Sequence, residues 1–256
     1  MIRLIASDID GTLLQNGGTA IAPAVFDHIH RLREAGILFC PASGRQYSSL
    51  RRLFAPVADE LTYLCENGAV VYGPGSPGEV LSKTVMDRAD SLELCREILA
   101  IPQCEVLISG ENTSYLCPKQ GDMVELIRDF VGNNVALLAA PEEMPEDFVK
   151  ISAYCRNGPV EIFRRLAPRW GAFHPAVAGE RWLDFTLADK GAGLRGLCAG
   201  LGIPLEEVMA FGDNYNDVPM LELVGHPWLM EGAAAELKAR FHRRCARVEQ
   251  VLATLP

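Results

Sequence analysis

The sequence contains no apolar run near the ~20 residues that cross a bilayer, no C-x-x-C, and no cluster of Cys and His at zinc spacing. The first absence argues against a helical membrane protein. The second argues against both a zinc module and a disulfide framework, so the eight scattered cysteines are expected to be reduced apolar fillers. Positive charge is scarce, with 24 Lys and Arg against 33 Asp and Glu and a net charge of −9. Such a surface repels nucleic-acid backbones and anionic lipid, so neither is an expected partner. The opening stretch Met1 to Ser7 meets a carboxylate at Asp8, too early for a secretory apolar segment, and a cytoplasmic location is expected. Internal repeats and low-complexity tracts are absent, and no motif fixes an oligomeric state. Of the five histidines, His28, His30 and His242 read as helix-face residues, and none has an evident set of co-ligands.

What is present is ordinary globular composition: 256 residues, 49% hydrophobic and 22% charged, enough for one large domain or two modest ones. Arg3 to Ser7 is a short apolar run that ends abruptly in Asp-Ile-Asp-Gly-Thr, which reads as a buried strand with carboxylates at its C-terminal end. Val25, Ile29 and Leu32 recur at helical spacing before Gly36. Ile37 to Cys40, broken by Pro41, reads as a second strand. Tyr47 to Phe54 reads as a helix, and Leu61 to Cys65 as a third strand. Between Val80 and Leu187 the pattern changes. Helices at Ser91–Leu99, Met123–Val131 and Val160–Leu166 mix with strands at Val135–Leu138, Val149–Tyr154 and Trp182–Thr186, and a hairpin surrounds Gly110–Thr113. Alternation then resumes with a helix at Gly191–Gly200 and a strand at Val208–Phe211. The expected fold is α/β: a doubly wound, Rossmann-like parallel-sheet core from residues 1–82 and 187–256, with an α+β domain inserted at 83–186.

Open parallel sheets bind ligands beyond the carboxyl ends of their strands, and four segments put reactive groups there. Asp8 and Asp10 are two apart on extended chain, so both can face one side while Ile9 turns into the core. Two such carboxylates can divide the roles of nucleophile and proton donor. Gly11 permits a sharp turn, and Thr12 is expected to fix it through a bond to the backbone. Ser43-Gly44 offers a hydroxyl and backbone N–H groups before a helix, and Lys190 puts positive charge at another helix start. Gly212-Asp213-Asn214-Tyr215-Asn216-Asp217 crowds two carboxylates and two amides at a strand end, the all-oxygen donor set that suits Mg²⁺; a calcium loop would need a longer spacing and a closing Glu. Taken singly, each segment also fits ordinary turn, capping or surface chemistry.

Charge arithmetic joins them. A phosphate monoester facing Asp8 and Asp213 gathers about four negative charges, and at an effective dielectric of ~20 each close like-charge pair costs on the order of 4 kcal/mol. One Mg²⁺ with Lys190 supplies about three positive charges, so a cleft of this kind holds its ligand only with metal present.

Other readings are weaker. Gly73-Pro-Gly-Ser-Pro-Gly78 matches G-x-G-x-x-G, but its prolines remove the N–H groups a phosphate would need, and a hairpin loop is expected. Gly191-Ala-Gly-Leu-Arg-Gly196 does open a helix, yet a dinucleotide site there leaves Asp8, Asp10 and Asp213 unexplained and repelling a pyrophosphate. Asn112-Thr-Ser114 is a glycosylation sequon without a secretory context. Trp170, Trp182, Trp228 and the methionines read as packing.

Asp8-Ile-Asp-Gly-Thr-Leu13, Ser43-Gly44-Arg45, Lys190-Gly191 and the 212–217 loop together resemble the four ordered motifs of the haloacid dehalogenase-like phosphatase superfamily. The long insertion after Asn67-Gly68-Ala69 is similar to the subgroup with an α/β cap, the Cof-like sugar-phosphate phosphatases. The resemblance spans nearly the whole chain. It implies Asp8 as nucleophile and Asp10 as the acid and base. Ser43, Gly44 and Lys190 would bind the phosphoryl group, and Asn67 would lie at the substrate mouth. Mg²⁺ would sit on Asp8, the Asp10 carbonyl and Asp213, with Asn216 and Asp217 in support. The implied function is hydrolysis of small phosphorylated metabolites under a closing cap. Phosphoryl transfer to an acceptor and a non-catalytic binding module are the alternatives. Ser43 replaces the more usual Thr, and Gly225 to Gly232 and the tail after Phe241 depart from the pattern without touching the catalytic motifs.

Overall fold

An apolar run without polar alternation needs cover on both faces. In the computed structural model, which describes residues 1–256, Leu4–Ser7 is strand β1 and all four of its residues are buried. Helix α1 (Pro23–Glu34) starts on a proline and buries the stripe Val25, Ile29 and Leu32. Strand β2 (Leu38–Pro41) runs one residue past the expected break. Pro41 is tolerated because the even-numbered Leu38 and Ala42 donate to β1, while the odd-numbered Ser43 donates to Leu64 on the other side. The N–H that proline lacks would point away from β1. Helix α2 (Tyr47–Leu53) and strands β3 (Tyr63–Cys65), β4 (Val70–Gly75) and β5 (Gly78–Lys83) follow. β4 and β5 meet at Ser76-Pro77, so the glycine- and proline-rich segment is the expected hairpin loop.

Helix α3 (Arg88–Leu99) is capped by Asp87, whose side chain accepts from the Asp90 N–H. Strands β6 (Cys104–Ser109) and β7 (Ser114–Cys117) form the hairpin expected around Gly110. The next helix is not uniform: α4 (Asp122–Glu125) passes into a π-helical stretch, Leu126–Val131, stopped by Gly132 at φ 81. Strands β8 (Val135–Leu137) and β9 (Lys150–Cys155) precede helix α5 (Val160–Trp170). That helix runs through Pro168 to Trp170, beyond its expected end at Leu166, because Ile162, Leu166 and Trp170 form one buried stripe. β10 (Ala176–Val177) and β11 (Trp182–Phe185) close the segment.

The chain then gives α6 (Lys190–Leu201), β12 (Val208–Gly212), α7 (Val218–Leu221), β13 (His226–Met230), α8 (Ala235–Arg240), β14 (Arg244–Cys245) and α9 (Val248–Leu252). His242 lies in coil between α8 and β14, not on a helix face, since α8 ends at Arg240.

The chain divides into two units, Met1–Ser82 with Ala188–Pro256, and Lys83–Leu187. In the first, five parallel strands run in the order β14-β13-β12-β1-β2, and Leu64 of β3 bridges Ala42 beyond the end of β2. Leu4 and Ala6 of β1 pack in one core with Leu194 and Leu197 of α6 and Met220 of α7. In the second, a six-stranded sheet has the order β10-β11-β9-β6-β7-β8, and β7–β8 is a parallel pair within it. α3 and α5 cover one face through Leu94, Ile98, Ile162 and Leu166, while Met123 and Ile127 pack on Leu107, Leu116 and Tyr154. The expected α/β parallel core with an inserted α+β segment is therefore the observed architecture.

Candidate active site

Chain order reverses between β1 and β12, where neighbouring strands lead into connections on opposite sides and open a crevice at their carboxyl ends. Asp8 directly follows β1 and Asp213 directly follows β12. Lys190, the first residue of α6, is wholly buried and donates to Asp8 Oδ1 and to Asp217 Oδ1, both at 2.6 Å. The other oxygen of Asp217 accepts from the backbone N–H groups of Asp213 (2.9 Å) and Asn214 (3.0 Å), which folds the 212–217 loop around it. Asp213 Oδ1 accepts from the Thr12 hydroxyl at 3.0 Å. Thr12 thus ties the first motif to the last, not to its own backbone as expected.

Carboxylate oxygens of Asp8, Asp213 and Asp217 lie within 4.8 Å of one another. One ammonium faces these three carboxylates, so the cluster is short of positive charge. Burial pushes the Asp8 carboxyl up to about 7, with Asp217 and Asp213 adding to the shift and Lys190 opposing it. Burial raises Asp213 as well. For Lys190, burial works against the charged form, but Asp8 and Asp217 outweigh it and hold its pKa above the usual lysine value. Asp8 Oδ2 is buried without a hydrogen-bond partner. A negative, all-oxygen cluster with one orphaned acceptor fits a hard divalent cation. The backbone allows this closeness only through glycine: Gly11 has φ 104, and a Cβ there would stand 2.3 Å from Asp213 Oδ2.

Asp10 stands outside this cluster. Arg45 holds its carboxylate with a two-pronged grip, Nε to Oδ2 at 2.9 Å and Nη2 to Oδ1 at 2.6 Å. Nothing in the sequence gives Arg45 a role beyond its place directly after Ser43-Gly44. The Ser43 hydroxyl accepts from the Arg45 N–H at 3.2 Å. It does not cap α2, which begins at Tyr47 after Gln46. Glu66, Asn67 and Gly68 are three successive left-handed residues, with φ 50, 55 and 99. This turn lets the Glu66 N–H donate to the Arg45 carbonyl (3.1 Å) and the Asn67 N–H to the Ser43 carbonyl (2.9 Å). It also brings the Asn67 amide against Gly44, where a Cβ would lie 3.2 Å from Nδ2. Asn216 Nδ2 donates to Asn67 Oδ1 at 3.4 Å. Ser43, Gly44, Asn67 and Asn216 are therefore linked in one polar group, and Asp8, Lys190, Asp213 and Asp217 in another.

The Gly191–Gly196 segment does not cradle a dinucleotide. Added Cβ atoms would meet the Pro219 carbonyl oxygen at Gly191 (2.6 Å), Gly68 Cα at Gly193 (2.6 Å) and Ser82 at Gly196 (2.8 Å). These glycines seat α6 against its neighbours and leave no space for a pyrophosphate. No helix is long and apolar enough to cross a membrane.

The family model of the haloacid dehalogenase-like hydrolases matches residues 5–250. The chain belongs to this family. Among similar haloacid dehalogenase-like proteins, the 5-amino-6-(5-phospho-D-ribitylamino)uracil phosphatase YbjI of Escherichia coli is 26% identical, over 93% of this chain and 88% of its own length. The pyridoxal phosphate phosphatase YbhA of the same organism is also 26% identical, over 93% and 91%. A crystal structure from Eubacterium rectale superposes with a TM-score of 0.87 at 30% identity, covering 99% of this chain and 98% of the other. The family expected from the four motifs is thus the observed one.

Proposed function

We propose that this haloacid dehalogenase-like hydrolase is a Mg²⁺-dependent phosphatase that cleaves small phosphate monoesters through a phosphoryl group carried on Asp8. The observation that carries the reading is the orphaned Oδ2 of Asp8, buried in a carboxylate cluster while Oδ1 is fixed by Lys190.

In this mechanism the Asp8 carboxylate attacks phosphorus, and the ester P–O bond breaks with its electrons on the leaving oxygen. Asp10 passes a proton to that oxygen, then takes a proton from the water that attacks the aspartyl-phosphate. The acyl-phosphate P–O bond breaks, inorganic phosphate departs, and the Asp8 carboxylate is restored. Lys190 stays protonated and keeps Asp8 turned so that one oxygen is presented. The Ser43 hydroxyl and Gly44 line the phosphoryl group, and Asn67 and Asn216 flank it. Asp8, the Asp10 carbonyl and Asp213 would hold Mg²⁺, with Asp217 fixing the loop from behind through oxygens already engaged by protein donors. Bound there, Mg²⁺ supplies the positive charge that lets carboxylates and a phosphoryl dianion share one site. Residues 83–186 would serve as a cap domain and residues 1–82 and 187–256 as the catalytic core.

Small phosphorylated metabolites as substrates are supported by the names of the related phosphatases. A cytoplasmic setting is supported by eight buried free thiols. The test is release of inorganic phosphate from sugar phosphates, nucleotides, pyridoxal phosphate and flavin phosphate, with Mg²⁺ or with EDTA. We expect Mg²⁺-dependent release that EDTA abolishes and that the Asp8→Asn variant lacks. Undiminished turnover after chelation, or in Asp8→Asn, refutes the assignment. A phosphorylated acceptor in place of free phosphate would make the protein a phosphotransferase, and no turnover on any ester would leave a binding module.

A further inference from the structure

Two thiols in the inserted segment stand face to face. Cys104 is the first residue of β6 and Cys155 the last of β9, and the antiparallel register puts them directly opposite. The Arg156 N–H donates to the Gln103 carbonyl, the Cys104 N–H turns to Ile101, and the Cys155 N–H turns to Arg181. Cys104 and Cys155 are therefore a non-hydrogen-bonded pair, the closer of the two antiparallel arrangements, with Cα atoms ~4.5 Å apart. That spacing lies inside the range a disulfide spans. Their sulfurs already share a hydrogen bond at 3.7 Å.

None of the other six cysteines has this relation. Cys40 pairs with Ala6, Cys65 with Val70, Cys117 with Val106 and Cys245 with Met230, while Cys95 and Cys198 sit on helices.

We propose that Cys104 and Cys155 are a thiol-oxidation site that hydrogen peroxide converts into a cross-strand disulfide, clamping β6 to β9. The Cys104 sulfur attacks one peroxide oxygen, the O–O bond breaks, and the thiol proton leaves with the departing oxygen as water, giving a sulfenic acid. The Cys155 sulfur then attacks the Cys104 sulfur, the S–O bond breaks, and a second water leaves with the Cys155 proton. Two thiols lose two electrons and one peroxide gains them. The hydrogen bond to Cys155, helped by Lys119 and Arg165, holds the Cys104 thiol below its ordinary pKa, which favours it as the attacking sulfur. Both thiols are buried, yet each borders a turn, Ile101–Gln103 before β6 and Arg156–Gly158 after β9. Fraying of that one sheet end would admit a small oxidant.

The proposal is independent of the phosphatase reading and is tested without an activity assay. The full-length protein, reduced, desalted and treated with hydrogen peroxide in native buffer, is digested without reductant and mapped by mass spectrometry. We expect a Cys104–Cys155 cross-linked peptide, reversed by dithiothreitol, with a higher melting midpoint for the oxidised protein. In Cys104→Ala and Cys155→Ala, peroxide should give neither the peptide nor the shift. Free Cys104 and Cys155 after treatment, oxidation that stops at sulfinic acid, or linkage through other cysteines would each overturn the proposal. The peptide map of the wild-type protein decides this even if a variant fails to fold.

Discussion

The guanidinium of Arg45 and the carboxylate of Asp10 meet in a fork, two parallel hydrogen bonds of 2.9 and 2.6 Å between residues 35 apart in the chain. The pair is partly open to solvent, with 31% and 55% of the two side chains exposed, so its weight falls on direction more than on stability. Replacing Arg45 with Ala should lower kcat by about 10- to 100-fold through loss of Asp10 alignment. Stability should fall by under ~1 kcal/mol. Lysine should rescue poorly, because a point charge cannot reproduce a planar fork. Thermal melts and separate kcat and KM values check this; a change confined to KM would contradict it.

The Asp10→Asn variant should slow turnover by about 10²–10⁴-fold, because in the proposed mechanism it removes the proton-transfer group and it also opens the Arg45 fork. Its fold and its Mg²⁺-induced thermal shift should match the wild type.

Lys190 has no exposed surface and sits between Asp8 and Asp217. Lys190→Met leaves those carboxylates buried without their partner and should cost ~3–5 kcal/mol in denaturant unfolding. The double variant Lys190→Met/Asp217→Asn should recover part of the loss. Equal destabilisation in both would argue against a charge origin.

Burial sets a pH signature in the metal-free protein. The Asp8 carboxyl is raised from 3.8 to about 7, so the folded chain binds its proton more tightly than the unfolded chain does. The stability this lends is present below the unfolded value and lost as pH rises toward about 7. Melting midpoints measured in EDTA should therefore fall across that window, and the fall should be smaller in Asp8→Asn. Saturating Mg²⁺ should flatten the slope by replacing the proton.

Gly11→Ala would force a side chain into φ 104 and against Asp213. We expect ~1–3 kcal/mol of destabilisation from the backbone alone. The Mg²⁺-induced thermal shift should be lost as well, because Asp213 is displaced. A retained shift would separate Asp213 from metal binding.

Much of this site is legible in the sequence because β1 and β12 end where their chemistry begins. An apolar run that stops at Asp8, and another that stops at Asp213, mark the carboxyl edge of a sheet through residue order alone. Lys190 is legible for a similar reason, as a charge at a helix start. The Arg45–Asp10 fork is not, since two side chains meeting across separate loops leave no periodicity in the sequence. Nor is the turn at Glu66–Gly68, where tertiary bonds to Ser43 and Arg45 hold a glutamate, beside the more tolerant Asn67, in a left-handed conformation it does not favour. In the inserted segment, burial of Trp170 carries α5 past a proline that local propensity treats as a stop.

The order β14-β13-β12-β1-β2 places the first strand of the chain in the interior of its sheet. During synthesis β1 can pair with β2 early, but its other edge stays bare until residues 208–212 emerge from the ribosome. Lys83–Leu187, a single contiguous stretch, is complete before that. The nascent protein therefore carries an unsatisfied strand edge for most of its translation, and the acidic centre is among the last features to assemble. Chains stalled before Val208 would be prone to associate through that edge.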